Sequence, residues 1–186
     1  MGWKDFFKKD APREPEPDPL KDFSLKKLEP GYYVDFDMKT WQVTAHDTYE
    51  WGPVDITHEW QLKSTEETIY LQLQSDDEDY WSVSRKIAFG RLGNSVKEYI
   101  LKNEDPPDEI NFEGITYYLE EMGGGKYFKG GNDPGKELLS WDYEDDSGDK
   151  LLSIEQWGEE DFEAAVGHAV EEYQFSNILP GSKDNL

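Results

Sequence analysis

The sequence predicts a mainly β fold, a β-rich α+β arrangement in which two similar five-stranded antiparallel meanders or small barrels are joined by a short helix. Three observations predict it. From residue 28 onward, short segments rich in aromatic and β-branched residues alternate with turn clusters. The stretch 94–102, midway along the body, carries helical spacing instead. After residue 108 the strand-like pattern of the first half begins again.

The elements follow in order. Over residues 1–10, Trp3, Phe6 and Phe7 stand at i, i+3 and i+4, with Lys4 and Lys8 on another face, which is the pattern of a short amphipathic helix. Two turns are marginal in water. The segment is therefore expected to rest on a surface: the body of the chain, a partner protein, or a membrane interface as a weak peripheral contact. Residues 11–27 form a linker, because Pro12, Pro15, Pro17 and Pro19 interleaved with acids favour extended backbone and remove amide donors.

The first β unit is expected over 28–92. Val34-Asp35-Phe36 and Trp41-Gln42-Val43 alternate apolar and polar side chains, and further strands run through 59–62, 69–73 and 80–83. Residues 93–108 make the connecting helix and linker: a capping residue at the front, apolar Val96, Tyr99 and Ile100 on one side, and Asp105-Pro106-Pro107 to stop it. The second unit is expected over 109–180, with 181–186 as a tail. Residues 110–119 echo 34–43 at an offset of 76, while 141–143 and 151–154 echo 60–62 and 70–73 at an offset of 81. Glycine-rich 123–135 reads as a flexible loop absorbing the difference. Glu159 to Val166 reads as one or two helical turns with acids at the amino end, stopped by Gly167.

Composition narrows the function classes. A chain of 186 residues can bury roughly 70% of its unfolded surface, and seven Trp, eleven Tyr and nine Phe supply much of the core. The absence of cysteine removes disulfides, thiolate nucleophiles and cysteine-based metal sites, and fits a reducing compartment. No apolar run is long enough for a signal peptide or a membrane span, so a soluble cytoplasmic protein is expected, held at the inner membrane face if the first residues act as an anchor. Residues 1–30 hold seven basic and seven acidic side chains, leaving 12 of the 19 basic and 35 of the 42 acidic ones to the body. Such a body repels phosphate backbones, and nucleic acid is not an expected partner.

Pro30-Gly31-Tyr32-Tyr33-Val34-Asp35-Phe36, Trp41-Gln42-Val43, Glu59-Trp60-Gln61-Leu62 and the closing Leu152-Ser153-Ile154-Glu155-Gln156-Trp157-Gly158 leading to Gly167 carry a family likeness. On these residues the stretch from Gly31 to Phe175 resembles the bacterial domain-of-unknown-function family 4178. The resemblance implies no catalytic residues. It implies company: polyamine-synthesis-like enzymes, small membrane proteins and phage-shock-type membrane-maintenance proteins, hence envelope stress or polyamine handling. A protein partner, membrane-associated in this reading, is the expectation it supports.

Catalytic patterns are weak. His46, His58 and His168 are scattered, and His58-Glu59 lacks the second histidine of a zinc-protease helix because position 62 is Leu. Asp142 to Asp149 fails calcium-loop spacing, with Ser147 in place of glycine and Ser153 in place of glutamate, and reads as a hairpin turn with solvated acids. Gly123-Gly124-Gly125-Lys126 lacks the Ser or Thr of a phosphate loop. No cofactor and no metal are expected. The composition positively suggests one ligand: Tyr49, Trp51, Tyr80 and Trp81 beside Glu50 and Asp79 combine aromatic faces with carboxylates, as sites for cationic amines do. The reading is thus a non-enzymatic accessory or interaction module, with a binder of polyamine-like cations as the alternative and an enzyme as the third.

Overall fold

A computed structural model describes residues 24–75, 78–131 and 134–181. Alternating sequence becomes strand at β1 (Tyr33–Phe36), β2 (Lys39–Glu50), β3 (Ile56–Lys63), β4 (Thr68–Ser75) and β5 (Asp79–Ile87). Helix α1 (Asn94–Asn103) follows, then β6 (Glu109–Phe112), β7 (Ile115–Phe128), β8 (Lys136–Glu144), β9 (Lys150–Gln156), β10 (Phe162–Val170) and β11 (Ser176–Leu179). Their order in one sheet is β11-β1-β2-β3-β4-β5-β10-β9-β8-β7-β6, every pairing antiparallel.

The mainly β, antiparallel expectation holds, with each half running as a five-stranded meander and α1 between them. The halves do not close separately. β5 pairs with β10, and a second seam, β2 with β7, joins Thr48 to Phe128, Tyr49 to Tyr127 and Glu50 to Lys126. Eight strands, β2 to β5 and β7 to β10, thereby close into one ring.

The echo at offset 76 marks a shared hairpin. Asp37 and Met38 join β1 to β2, Glu113 and Gly114 join β6 to β7, and all four have positive φ, the two-residue turn whose twist suits paired strands. The echo at offset 81 does not extend to register: Trp60 pairs with Leu71, whereas Trp141 pairs with Ile154, two residues further along. The halves share strand order, and an internal duplication is not confirmed by their pairing. The last strand, expected with the second unit, crosses back to β1.

Two apolar cores lie on the outer faces of the ring. The first gathers Val34, Trp41, Val43, Trp60, Leu71 and Trp81 under Leu25, Leu28 and Phe175; the second gathers Ile110, Tyr117, Trp141, Tyr143 and Ile154 under Val96 and Ile100 of α1. Indole N–H groups tie each lid down: Trp60 donates to the Leu28 carbonyl at 2.9 Å, and Trp141 donates to Asp105 Oδ1 at 3.4 Å. Phe175, just before β11, stacks on Phe36 with ring centroids 4.4 Å apart. Phe175→Leu is expected to cost about 1 kcal/mol, read as a lower urea midpoint at unchanged slope; an unshifted midpoint would show that this stack does not hold the carboxyl-terminal segment.

Three local expectations are corrected. Residues 162–170 are a strand and not a helix, because the segment pairs along its length with β5 on one side and β9 on the other, which outweighs helix propensity. Gly167 sits inside that strand; a Cβ there would lie 2.4 Å from the Val83 carbonyl oxygen. Gly123-Gly124-Gly125 is not a loop, since β7 runs through it in ladder with β8. The helix α1 is preceded by Gly93, which offers no side-chain cap, and ends with Glu104 in the left-handed conformation.

Candidate functional site: the acid-lined interior of the ring

Period-two alternation sends one set of side chains to the cores and the other into the ring. In β3, Trp60 and Leu62 face outward to the first core while Thr57 and Glu59 face inward. Bulges between Val43 and Ala45 in β2, and between Leu119 and Glu121 in β7, switch the parity of the two long strands. That switch turns Asp47 and Tyr49 inward although Trp41 and Val43 face the core, and turns Glu121 inward although Tyr117 faces the core.

The interior is consequently polar. It holds a cavity of about 420 Å³, lined among others by Tyr49, Gln72, Ser82, Asp142, Ser153 and Glu155. At one end Glu59, Lys86, Glu155 and Glu163 converge. Lys86, on β5, is ion-paired with Glu163 on β10. Asp47 accepts hydrogen bonds from the Tyr127 hydroxyl at 2.7 Å and the Gly130 amide at 2.8 Å, and Glu59 accepts one from Gln72 at 2.8 Å. Among the described residues lining this end, Lys86 is the one lysine, beside the carboxylates of Glu59, Glu155 and Glu163.

Burial and mutual repulsion disfavour so many negative charges. Burial, and then the charge of Glu155, push the Glu59 carboxyl up to about 7, against the pull of the Gln72 hydrogen bond. Burial likewise raises Asp142 to about 7, opposed by the bond from Ser140 and reinforced by Glu155 and Glu121. Asp142 is exposed yet surrounded by protein, because the space it opens onto is the cavity inside the ring. Glu155 is also raised, chiefly by burial, with Lys86 pulling the other way. Burial holds the Tyr49 phenol protonated beside these acids.

Of the residues grouped from sequence, Tyr49, Trp51 and Tyr80 meet at this cavity. Glu50 lies outside it, on an open surface depression of about 790 Å³. Asp79 turns outward to Lys26, 2.5 Å away. Trp81 does not belong to the site: it lies on the opposite face of β5, buried in the first core against Trp60. Trp3, Lys4, Phe6, Phe7 and Lys8 lie outside the described residues. Asp142, read as a solvated acid of a hairpin turn, instead lies inside β8 on the cavity wall, and Glu59 and Glu155 gave no local sign of facing a cavity.

The histidines are partly reunited. His46 Nε2 and His58 Nδ1 are 3.0 Å apart on the outer face, stacked against Trp60, with His168 elsewhere on β10. Burial lowers the pKa of both, and the neighbouring His58 lowers that of His46 further, which favours a neutral pair sharing one N–H. Among the described residues, no three His, Cys, Asp or Glu side chains cluster as metal ligands.

Fold and site together define an antiparallel β-ring domain with two outer cores and a hollow, acid-lined interior. The chain belongs to the family described as a domain of unknown function (DUF4178), which matches residues 29–172. It is similar to an uncharacterized protein of Aquifex aeolicus (strain VF5), 26% identical over 156 residues, covering 84% of this chain and 85% of that protein. No solved structure matches. Among the described residues no helix is long and apolar enough to cross a membrane.

Proposed function

We propose that the chain is an accessory module without chemistry of its own that holds a polyamine-like organic cation inside the ring. One observation carries this reading: among the described residues lining the interior, carboxylates gather with one lysine, Lys86, which is already paired with Glu163. An amine entering the cavity supplies the missing positive charge and lets Glu59 and Asp142 ionise, and charge-assisted bonds of this kind are the strong ones. Tyr49, Trp51 and Tyr80 add aromatic faces to the same walls. The company implied by the family resemblance, polyamine-synthesis-like enzymes and membrane-maintenance proteins, agrees with this reading and supplies the kind of membrane-associated partner to which the loaded module would report.

A thermal-shift screen at low salt tests it. Linear diamines and triamines are expected to raise the melting temperature, whereas a neutral diol of equal length and magnesium ions are not. Stabilisation by the diol as much as by the diamine would remove charge as the basis of recognition.

The raised carboxyls in a cavity also favour a second reading, an enzyme using acid–base chemistry, since carboxyls near 7 suit proton transfer. The bound amine recovered chemically changed after incubation would favour the enzyme; recovery intact favours the binding module.

A further inference from the structure

We infer that the ring has a side portal between the end of β2 and the glycines of β7, that Trp51 is its plug, and that the outer depression is its vestibule. The seam between β2 and β7 consists of three residue pairs and stops at Glu50–Lys126. Beyond it β2 turns away, with the Trp51 amide bonded to the Asp55 carbonyl, while β7 continues with β8 alone through Gly125, Gly124 and Gly123. Three successive residues on this wall therefore lack side chains, next to a strand that has left the ladder.

The Trp51 indole fills the gap. Its ring occupies the space a side chain at 125 would need, since a Cβ on Gly125 would lie 2.5 Å from Trp51 Cε3 and 2.8 Å from Cζ3. Its N–H donates to Thr57 Oγ1 at 3.0 Å, and its ring stacks on Tyr49 at 5.6 Å, nearly parallel. Trp51 and Gly124 line both the interior cavity and the outer depression, so they form the wall between them. The indole is half-buried and sits at the start of the connection to β3, where only one hydrogen bond and one stack hold it. A displaced Trp51 joins the two spaces. The vestibule fits a slender cation: Trp51 and Trp157 offer ring faces, Glu50 and Glu159 offer charge beside the Lys126–Glu137 ion pair, and the chain's own Lys136 already lies over the Trp157 ring at 4.7 Å. This inference rests on the cation reading for its cargo and not for the portal itself.

The absence of native cysteine gives a clean test. Ser140 is buried, faces the interior and pairs with Gly123 beside the portal, so Ser140→Cys places a single thiol there. The full-length variant is labelled with a trimethylammonium methanethiosulfonate and with its neutral hydroxyethyl analogue. Adding Trp51→Ala is expected to accelerate labelling by both reagents about tenfold, the consequence of removing a plug held by one stack and one hydrogen bond. Adding Tyr173→Ala, exposed outside the ring and away from its walls, is expected to change neither rate. If Trp51→Ala loses its cooperative melt, Thr57→Val, which keeps the ring and removes its hydrogen bond, is expected to accelerate both reagents to a smaller degree. Unchanged rates in the folded Trp51 or Thr57 variant, or equal acceleration by Tyr173→Ala, would overturn the portal. With Trp51 intact, faster labelling by the cationic than by the neutral reagent reads the cation site separately; equal rates there, with both accelerated by Trp51→Ala, would sink the cation reading and leave the portal standing.

Discussion

An Asp142→Asn, Glu155→Gln double variant is expected to bind a linear diamine about a hundredfold more weakly than the parent protein, a loss of ~2.7 kcal/mol, and to resist urea better at neutral pH when no ligand is present. The two effects share one cause. Asp142 and Glu155 are raised by burial, and each aggravates its neighbours, so neutralising them relieves the empty ring while removing two charged acceptors from the site. Structural damage would lower binding and stability together. Weaker binding with higher stability is therefore the signature of a site whose charge is held at a cost, and calorimetry beside urea denaturation measures both. Undiminished affinity in a folded double variant would place the amine elsewhere.

Glu59→Gln is expected to stabilise the unliganded protein at about pH 8 by on the order of 2 kcal/mol, and to do nothing at pH values where Glu59 is already protonated. The amide keeps an acceptor for Gln72, so the main change is the lost charge. The sign follows from proton binding. Glu59 has an ordinary value of 4.5 and rises to about 7 in the fold, so between those values the folded state holds a proton that the unfolded chain has released. Stability then falls as pH rises through that window, and the penalty is complete above about 7. Asp142 acts in the same direction. The histidines oppose it: His46, His58 and His168 are lowered from 6.5, so they remove stability as pH falls through that value. They act alike in parent and variant, so the difference between the two urea midpoints isolates the acid: Glu59→Gln should gain on the parent as pH rises from 4.5 to about 7. A difference that does not grow over this range would contradict the burial of ionisable Glu59.

Much of the fold was legible because alternation is local. Val34-Asp35-Phe36, Trp41-Gln42-Val43 and Glu59-Trp60-Gln61-Leu62 each reported a strand with one apolar face, and residues 94–102 reported the helix between the meanders. What alternation does not report is where the polar face points. Glu59, Asp142 and Glu155 read as solvent positions, and they face inward because Tyr49 pairs with Tyr127 and Val83 with His168, contacts between residues about eighty positions apart. The bulges that turn Tyr49 and Glu121 into the ring have no composition signal. Residues 162–170 misled for the opposite reason: acids before Phe162, Val166 at i+4 from it and Gly167 behind suit a short helix locally, and the two flanking strands make the segment a strand. Of the aromatics grouped from sequence, Tyr49, Trp51 and Tyr80 line one cavity and Trp81 does not, because adjacent strand residues face opposite sides.

Proton release on ligand binding tests the central proposal most directly. Titrating the full-length protein with a linear diamine at about pH 6.5, in two buffers of different ionisation enthalpy, separates the heat of binding from that of protons exchanged. A cation held by Glu59 and Asp142 should release on the order of one proton per ligand as these carboxyls ionise, more than the same amine releases on meeting the Asp142→Asn, Glu155→Gln variant. Binding with equal apparent heats in both buffers, or no saturable binding at low salt, would contradict a cation site inside the ring.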